Sequence, residues 1–314
     1  MSIHAYLMKH YPVRRSDDEK QRFRAWVTGF ASREGYEART ETTSRGKHQN
    51  VVIGDPEHAA VVFTAHYDTA SNMLFPNLLM PRNPLLYILY QLLLVAALLA
   101  PCALLGALVM RLSGSDMAAR LCFLLPYFAL LCLIGFGPSN RHNANDNTSG
   151  VAAVLETMRR IPEQARPLAA FILFDNEEKG CLGSRQYAKD HPQQQFMRLV
   201  VNLDCVGCGK DVIVIARDMA RRCTGYRLLE RTLAETPGCN AHFFASRGCI
   251  FSSDQRNFKC GVGVCACRRA PVAGFITTRL HTRRDTQCDE GNLDYLATAF
   301  SDFASRLSPP EDAQ

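Results

Sequence analysis

The sequence predicts an α/β fold, in which helices cover both faces of a mostly parallel, mixed central sheet and an apolar helical hairpin is inserted into the domain. Short apolar runs alternate with segments of helical period along most of the 314 residues, and this alternation is typical of a parallel sheet. The chain is 47% hydrophobic, which is enough to bury one large core. We therefore expect one domain from residues 1–71 and 139–314, with residues 72–138 as the inserted hairpin.

The first part of the chain predicts one helix followed by three strands. Ser16-Asp-Asp-Glu19 matches a capping box, in which the serine and glutamate side chains each accept the other residue's backbone N–H, and it predicts a helix to about residue 32. Strands are predicted at residues 36–42, 49–53 and 59–65. The last of these ends immediately before His66.

The second part of the chain continues the alternation of helix and strand. Helices are predicted at residues 148–161, 182–191, 221–235 and 291–307. Strands are predicted at residues 168–174, 199–203, 211–215, 241–244, 261–267 and 274–277. Residues 308–314 are predicted to be a polar tail.

The inserted segment contains two long stretches without a charged residue, at residues 85–110 and 121–137. At about 1.5 Å per residue the first can span a hydrocarbon core of about 30 Å with some tilt, and the second is at the short limit. Four arginines bracket these stretches in the outline of a helical hairpin: Arg82, Arg111, Arg120 and Arg141. We therefore expect residues 85–137 to associate with a membrane. The alternative is an apolar lid, or a dimer-forming hairpin, on a soluble enzyme.

The charge and the cysteine content of the chain limit which partners and which cellular compartment are expected. The net charge of +6 forms no basic stripe, so no nucleic-acid partner is expected. The N-terminus lacks the charged-then-apolar layout of a signal peptide, and the thirteen cysteines are scattered. We therefore expect reduced thiols and a catalytic domain that lies in the cytoplasm. The protein is expected to be membrane-associated, and the alternative is a soluble cytoplasmic protein. The arginines that flank the hairpin are balanced, so they select no orientation, and the oligomeric state stays open.

Polar residues follow the predicted strands at the edge where a parallel sheet usually opens its active site. In Asp175-Asn176-Glu177-Glu178, neighbouring carboxylates repel each other at a buried strand end unless a cation or a proton neutralises them. Other residues that can share such a cation are His66, Asp68, Asp146, Asp204 and His281. A set of the two histidines, two of these aspartates and one glutamate suits a pair of zinc ions, with one bridging carboxylate and a spare glutamate for proton transfer.

Each of these residues also has a structural alternative when taken singly. A lone histidine after a strand is ordinarily a hydrogen-bonded structural residue, and a Glu-Glu pair is ordinarily a solvated turn. Asp146 could cap the following helix, with Asn147 or Thr148 as rivals for that role. The recurrence of such residues at successive strand ends favours a shared site.

These motifs resemble those of the co-catalytic dinuclear zinc exopeptidases, the family of bacterial leucyl aminopeptidase, to which the glutaminyl cyclases are also similar. The family pattern runs His-x-Asp, Asp-Asn-x-Ser-Gly, Glu-Glu, Asp and His. This chain meets it at His66, Asp68, Asp146, Glu177, Glu178, Asp204 and His281. The resemblance covers roughly residues 15–70 and 140–308. The chain departs from the pattern at Ser253-Asp254-Gln255, where relatives commonly carry Ser-Asp-His near the substrate pocket.

The resemblance implies a zinc-dependent aminopeptidase that removes N-terminal residues from peptides. The implied ligands of one zinc ion are His66, Asp146 and Asp204. The implied ligands of the second are Asp146, Glu178 and His281. Asp146 is then the bridging carboxylate, Glu177 is the general base for a zinc-activated water, and Asp68 orients the His66 imidazole. The peptide bond after the bridging aspartate is expected to be cis, as in relatives.

Several alternatives remain beside this interpretation. The same fold performs glutaminyl cyclisation with one zinc ion, and another amidase or a carboxypeptidase also remains. A non-enzymatic membrane scaffold would be expected to lose ligands, whereas all five ligands and Glu177 are present. Because the insertion leaves and rejoins the chain beside metal ligands, we hypothesise that it walls the site and favours apolar or membrane-derived peptides.

Overall fold

The computed structural model describes residues 1–73, 75–193 and 198–308. The α-helices in these ranges are α1 (Ile3–His10), α2 (Asp17–Arg33), α3 (Pro84–Ser113), α4 (Asp116–Phe136), α5 (Thr148–Arg160), α6 (Leu182–Asp190), α7 (Thr224–Glu235) and α8 (Glu290–Ser305). The strands are β1 (Ala38–Thr42), β2 (Gln49–Ile53), β3 (Val61–His66), β4 (Asn77–Leu79), β5 (Ala169–Phe174), β6 (Leu199–Leu203), β7 (Asp211–Ala216), β8 (Asn240–Ala245), β9 (Gly261–Ala270) and β10 (Gly274–Leu280). Short 3₁₀ helices occupy Glu163–Leu168, Ala220–Arg222 and Asp254–Asn257.

The strands form one mixed sheet with a parallel centre. Their order is β1-β2-β5-β3-β6-β9-β10-β4, and β7 pairs with β9 and β8 beside this path. The four central strands β5, β3, β6 and β9 are parallel neighbours, while β1, β2, β7, β10 and β4 each have an antiparallel partner. The predicted fold class, a mixed sheet with a mostly parallel centre, is therefore confirmed.

The apolar runs of the central strands form cores on both faces of the sheet. Every residue of β3 and of β5 is buried, as expected for strands covered on both sides. Val61 and Phe63 point into a core shared with α5 and α8, and Val62 points into the opposite core with α6. Helices thus cover both faces, and the carboxyl ends of the central strands remain open.

The predicted boundaries agree with the observed ones to within a few residues. The capping box at α2 is present, with Glu19 N–H donating to Ser16 Oγ at 3.3 Å and Ser16 N–H donating to Glu19 Oε2 at 2.9 Å. The helix predicted from residue 221 begins at Thr224, after a 3₁₀ turn. Helix α1 and strand β4 were not predicted. Of the polar tail predicted at 308–314, residues 309–314 lie outside the described residues.

The insertion forms a helical hairpin whose helices α3 and α4 contain 30 and 21 residues. Both are long and apolar enough to cross a membrane, and 11% and 0% of their most apolar windows are buried. At the base, Ser71 and Ser139 form an antiparallel bridge, and Asn72 N–H donates to the Pro138 carbonyl oxygen at 2.8 Å. The chain therefore leaves and returns at one place. Strand β4, inside the predicted insertion, adds an edge strand to the sheet next to β10.

Candidate metal centre

The parallel strands bring four of the predicted site residues to one edge of the sheet. His66 is the last residue of β3, Asp204 follows β6, and Glu177 and Glu178 follow β5. These three strands are adjacent and parallel, so their carboxyl ends lie side by side. His281 arrives by another route, because β9 runs past this edge and β10 returns antiparallel to it.

The donor atoms of the site form two groups that share Asp146. Asp146 Oδ1 lies 3.5 Å from His66 Nε2, and Asp146 Oδ2 lies 3.0 Å from His281 Nε2. His66 Nε2 lies 3.8 Å from an Asp204 oxygen, and His281 Nε2 lies 3.3 Å from Glu178 Oε2. In a tetrahedral zinc site with bonds of about 2.0–2.1 Å, donor atoms lie about 3.3 Å apart. The spacing of the donors therefore fits zinc in each group.

A third group overlaps these two. One donor atom from each of His66, Glu177 and Glu178 lies within 4.8 Å of the other two. The same limit holds within the group of His66, Asp146 and Asp204, and within the group of Asp146, Glu178 and His281. The structure thus brings all five predicted ligands and Glu177 into one cluster.

The segment Asn145-Asp-Asn-Thr-Ser-Gly150 fixes Asp146 against the loop after β6. Asn147 Nδ2 donates to the Leu203 carbonyl oxygen at 2.9 Å, and Asn147 Oδ1 caps α5 by accepting the Gly150 N–H at 3.1 Å. A Cβ at Gly150 would lie 2.4 Å from that carbonyl oxygen. Because Asn147 is the cap, the Asp146 carboxylate faces the two histidines instead. The Asp146–Asn147 peptide bond is cis, as expected.

Asp68 connects the site's first histidine to its pair of glutamates. Its two carboxylate oxygens accept the backbone N–H groups of Glu177 at 2.9 Å and Glu178 at 3.2 Å. His66 Nδ1 lies 3.2 Å from the Asp68 carbonyl oxygen and 3.6 Å from its carboxylate. Asp68 thus lies beside the His66 imidazole with its backbone carbonyl oxygen nearer than its carboxylate, and the carboxylate holds the backbone of both glutamates, which was not predicted.

Burial and mutual repulsion leave the carboxylates of the centre in need of a cation. Burial raises the pKa of Glu177 well above its usual range and that of Glu178 to about 8. For His281, burial by itself lowers the pKa, but the neighbouring carboxylates of Glu178 and Asp146 outweigh burial and raise the pKa to about 10. Glu178 Oε1 is buried without a hydrogen-bond partner among the described residues. A bound divalent cation would relieve this repulsion and satisfy that oxygen, so the residues fit a zinc centre.

Three buried residues that support the centre were not predicted. Asp285 accepts the backbone N–H groups of Asn145 and Asp146 at 3.0 and 2.9 Å. Lys20 donates to Asp175 Oδ1 at 2.6 Å, next to the two glutamates. Arg14 joins the segments of His66 and Asp146, since it donates to the Tyr67 carbonyl oxygen and to Thr148 Oγ1. None lies in a motif, and only the fold places them beside the site.

The departure at Ser253-Asp254-Gln255 is accommodated by a buried polar network. Gln255 Oε1 accepts Asn202 Nδ2 at 3.0 Å, and Ser184 Oγ donates to Asp254 at 2.5 Å. Burial raises the pKa of Asp254 to about 7. The glutamine side chain is thus turned toward β6, and the Asp254 carboxylate is held by Ser184.

Comparison with known proteins identifies the family. The model of peptidase family M28 matches residues 133–303, which is more than half of the chain. The chain belongs to peptidase family M28. This membership and the donor set described above support a zinc-dependent, peptidase-like function. No curated protein matches the sequence.

Solved structures of low identity share the M28 fold. The aminopeptidase LapA of Legionella pneumophila is 15% identical, with 98% of this chain and 69% of LapA covered and a TM-score of 0.56. The glutaminyl cyclase of Bacteroides thetaiotaomicron is also 15% identical, with 98% of this chain and 97% of the cyclase covered and a TM-score of 0.56. The glutaminyl cyclase of Fimbriiglobus ruber is 13% identical, with 97% and 94% covered and the same TM-score. At these identities the likeness establishes the fold alone.

Proposed function

We propose that this M28 chain is a zinc-dependent aminopeptidase that removes N-terminal residues from peptides. The observation that carries the proposal is the position of Asp146, whose two oxygens face the histidines of two different donor groups. A single carboxylate shared in this way suits two zinc ions per chain. His66, Asp146 and Asp204 would hold one, and Asp146, Glu178 and His281 the other.

The chemistry divides between the metal and the protein. When bound, zinc ions lower the pKa of water toward neutrality and polarise a substrate carbonyl group. Glu177 lies in neither proposed ligand set, yet one of its carboxylate oxygens lies within 4.8 Å of a donor atom of His66 and of a donor atom of Glu178. It can therefore hold the proton that the attacking water releases.

The remaining steps are proton transfers by Glu177. The oxygen of water adds to the scissile carbonyl carbon while Glu177 accepts a proton. The carbon–nitrogen bond then breaks, and Glu177 returns that proton to the departing amine. Because Asp68 fixes the backbone N–H groups of Glu177 and Glu178, the carboxylate that moves the proton is held beside those proposed to bind metal.

We further propose that residues 72–138 form an insertion whose apolar helices anchor the enzyme in a membrane, with residues 1–71 and 139–314 as the catalytic domain. The large exposed side chains of α3 and α4 support this, since Leu85 and Leu104 are 79% and 71% exposed. The insertion also touches the centre, because Met73 N–H donates to the His281 carbonyl oxygen at 2.7 Å. A wall of this kind would favour apolar or membrane-derived peptides.

A second candidate is glutaminyl cyclisation, in which the N-terminal amine attacks the glutamine side-chain amide and ammonia leaves. The greater coverage of the cyclases supports this candidate, since this chain matches 97% and 94% of the length of the two cyclase structures and 69% of the length of LapA. A cyclase would convert a Gln-peptide without releasing its first residue and would need one zinc ion. Product mass and metal content therefore separate the two candidates.

The test is hydrolysis of a panel of aminoacyl-arylamides by the purified full chain, with zinc content measured on the same sample. Glu177→Gln should lower turnover by about 10²–10⁴-fold and retain zinc. The exposed Glu57→Gln serves as a matched control and should behave as wild type. Arylamide release that survives chelation, or equal rates in the two variants, would contradict the proposal.

A further inference from the structure

A cavity of about 1250 Å³ lies between the loop that carries His281 and the base of the hairpin. The hairpin side of the lining includes Met73, which is hydrogen-bonded to His281, and Phe75. The opposite side carries three arginines and three threonines: Thr278, Arg279, Thr282, Arg283, Arg284 and Thr286. We call this space the arginine cavity. It is rich in hydrogen-bond donors, and no carboxylate is among the described residues that line it.

The arginines of this cavity have no acidic partner among the residues that the structure describes. Arg279 donates to the neutral side chain of Gln287 at 2.9 Å. Among the described residues, no carboxylate lies within 4.0 Å of Arg279, Arg283 or Arg284. By contrast, Arg159 and Arg160 each contact a carboxylate, at 2.6 and 2.8 Å. Three uncompensated guanidinium groups around one cavity favour an anionic occupant.

The arginine cavity continues into an apolar cleft between the two hairpin helices. This cleft, of about 230 Å³, is lined by Leu94 and Leu98 of α3 and by Leu130 and Leu133 of α4. Four residues line both spaces, namely Asn72, Met73, Phe75 and Arg283. An occupant of both spaces would carry a negative charge at one end and a hydrocarbon chain at the other.

The loop that presents the arginines is held by its own hydrogen bonds. Arg279 and His281 have φ values of 75° and 60°, a left-handed conformation that non-glycine residues seldom adopt. Thr282 Oγ1 donates to the Arg279 carbonyl oxygen at 2.7 Å, and Asn140 Nδ2 donates to the Thr282 carbonyl oxygen at 3.2 Å. The cavity wall is therefore formed before a ligand binds, which lowers the cost of ordering it.

We propose that this space binds one anionic phospholipid, with its phosphate among Arg279, Arg283 and Arg284 and an acyl chain between α3 and α4. The guanidinium and hydroxyl groups would donate to the phosphate oxygens. A zwitterionic choline lipid fits less well, because its ammonium group meets no carboxylate in the lining. The proposal rests on the proposed membrane hairpin, and it adds a headgroup preference at a site beside the metal centre.

The test compares lipid retention by the full chain purified in a nonionic detergent. The protein is mixed with micelles that contain equal amounts of dioleoyl-phosphatidylglycerol and dioleoyl-phosphatidylcholine, and retained lipid is identified by native mass spectrometry. Wild type should retain one phosphatidylglycerol in preference. The triple variant Arg279→Gln/Arg283→Gln/Arg284→Gln should lose that preference by roughly a hundredfold, since each arginine near an anionic lipid contributes about a fivefold factor.

A matched triple variant controls for loss of charge alone. Arg221, Arg222 and Arg227 are exposed and follow β7, whose end lies at the opposite edge of the sheet because β7 is antiparallel to β9. Their replacement by glutamine should leave the preference intact. If the first triple variant fails to fold, judged by thermal unfolding, the single variant Arg283→Gln should still weaken retention about fivefold.

Three results would overturn the proposal. Equal retention of both lipids by wild type would remove the headgroup preference, and an unchanged preference in the arginine variants would place it elsewhere. Loss of the preference on adding inorganic phosphate alone would show a free-phosphate site. Failure of the hairpin is detected separately, because the protein would then be released from membranes by alkaline carbonate. Failure of the peptidase proposal would appear only in the arylamide assay.

Discussion

The buried ion pair between Lys20 and Asp175 is expected to hold the loop that carries Glu177 and Glu178. Lys20 Nζ lies 2.6 Å from Asp175 Oδ1 and 2.8 Å from Asn176 Oδ1. The two charged side chains are only 4% and 6% exposed. Replacing Lys20 by methionine keeps most of the side-chain volume and leaves the Asp175 carboxylate buried without its cation.

The size of the effect follows from the contacts that remain. Breaking a buried ion pair by removing one partner destabilises a protein by about 3–5 kcal/mol. Asp175 Oδ2 still accepts the Gln49 N–H at 3.1 Å and Asn176 Nδ2 at 2.9 Å, so Lys20→Met is expected near the lower limit, about 3 kcal/mol. In the double variant Lys20→Met/Asp175→Asn no charge is stranded, and the loss should fall to about 1 kcal/mol.

The free energy of unfolding is measured by urea titration of the full chain in nonionic detergent. The control is Arg39→Met, which removes an exposed arginine that lies 3.2 Å from Glu41 and should change stability by about 0.5 kcal/mol or less. Arylamide turnover should fall in Lys20→Met and recover in part in the double variant. A Lys20→Met loss no larger than that of Arg39→Met, or a double variant as unstable as the single one, would refute the reasoning.

Three further predictions concern the metal, the close packing behind it and the pH dependence of stability. Asp146→Asn should lose most bound zinc, measured by elemental analysis, because both donor groups share that carboxylate. Gly150→Ala should cost about 2–4 kcal/mol in urea titration, since its Cβ would clash with backbone, whereas Gly135→Ala meets nothing within 4 Å and should be neutral. The hydrogen bond that the His191 ring donates to the Glu41 carboxylate raises the pKa of His191. This pair therefore stabilises the fold below the ordinary histidine pKa and loses its effect as the pH rises through the raised value. Glu41→Gln should therefore cost about 0.5 kcal/mol near pH 5.5 and almost nothing near pH 9, and equal losses at both values would contradict this.

Much of the fold could be predicted because its signals are local. The capping residues Ser16 and Glu19 determine where α2 begins, and the uninterrupted apolar run of β5 marks a strand buried on both faces. Strand β4 lacks such a signal, because it is a three-residue edge strand that exists through pairing with β10. Helix α1 contains only eight residues, too short for a clear helical period.

The site could be predicted in composition, while its supports could not. His66, Asp204 and the two glutamates follow apolar strands, so sequence alone places them at one edge. Asp285 has no such context, and it acts across 139 and 140 residues of sequence on the backbone of Asp146 and Asn145. Arg14 and Lys20 likewise contact residues far along the chain. Hydrogen bonds between residues so far apart in the sequence form only in the finished fold, and a short sequence motif does not reveal them.

The hairpin is joined to the catalytic part without a free linker, and this has a consequence for substrate access. Arg15 donates to the carbonyl oxygens of Gly135 and Gly137 at the end of α4, and Asn83, which caps α3, donates to Val272 O at the β9–β10 turn. Both ends of the hairpin are thus fixed to the domain. If the hairpin lies in a membrane, the face that carries the metal centre must then lie close to the lipid surface. A peptide already held at that surface would reach the centre by lateral diffusion. Deleting residues 72–138 should therefore slow hydrolysis of a vesicle-bound apolar peptide far more than that of a soluble arylamide, and an equal effect on both would show that the hairpin does not set access.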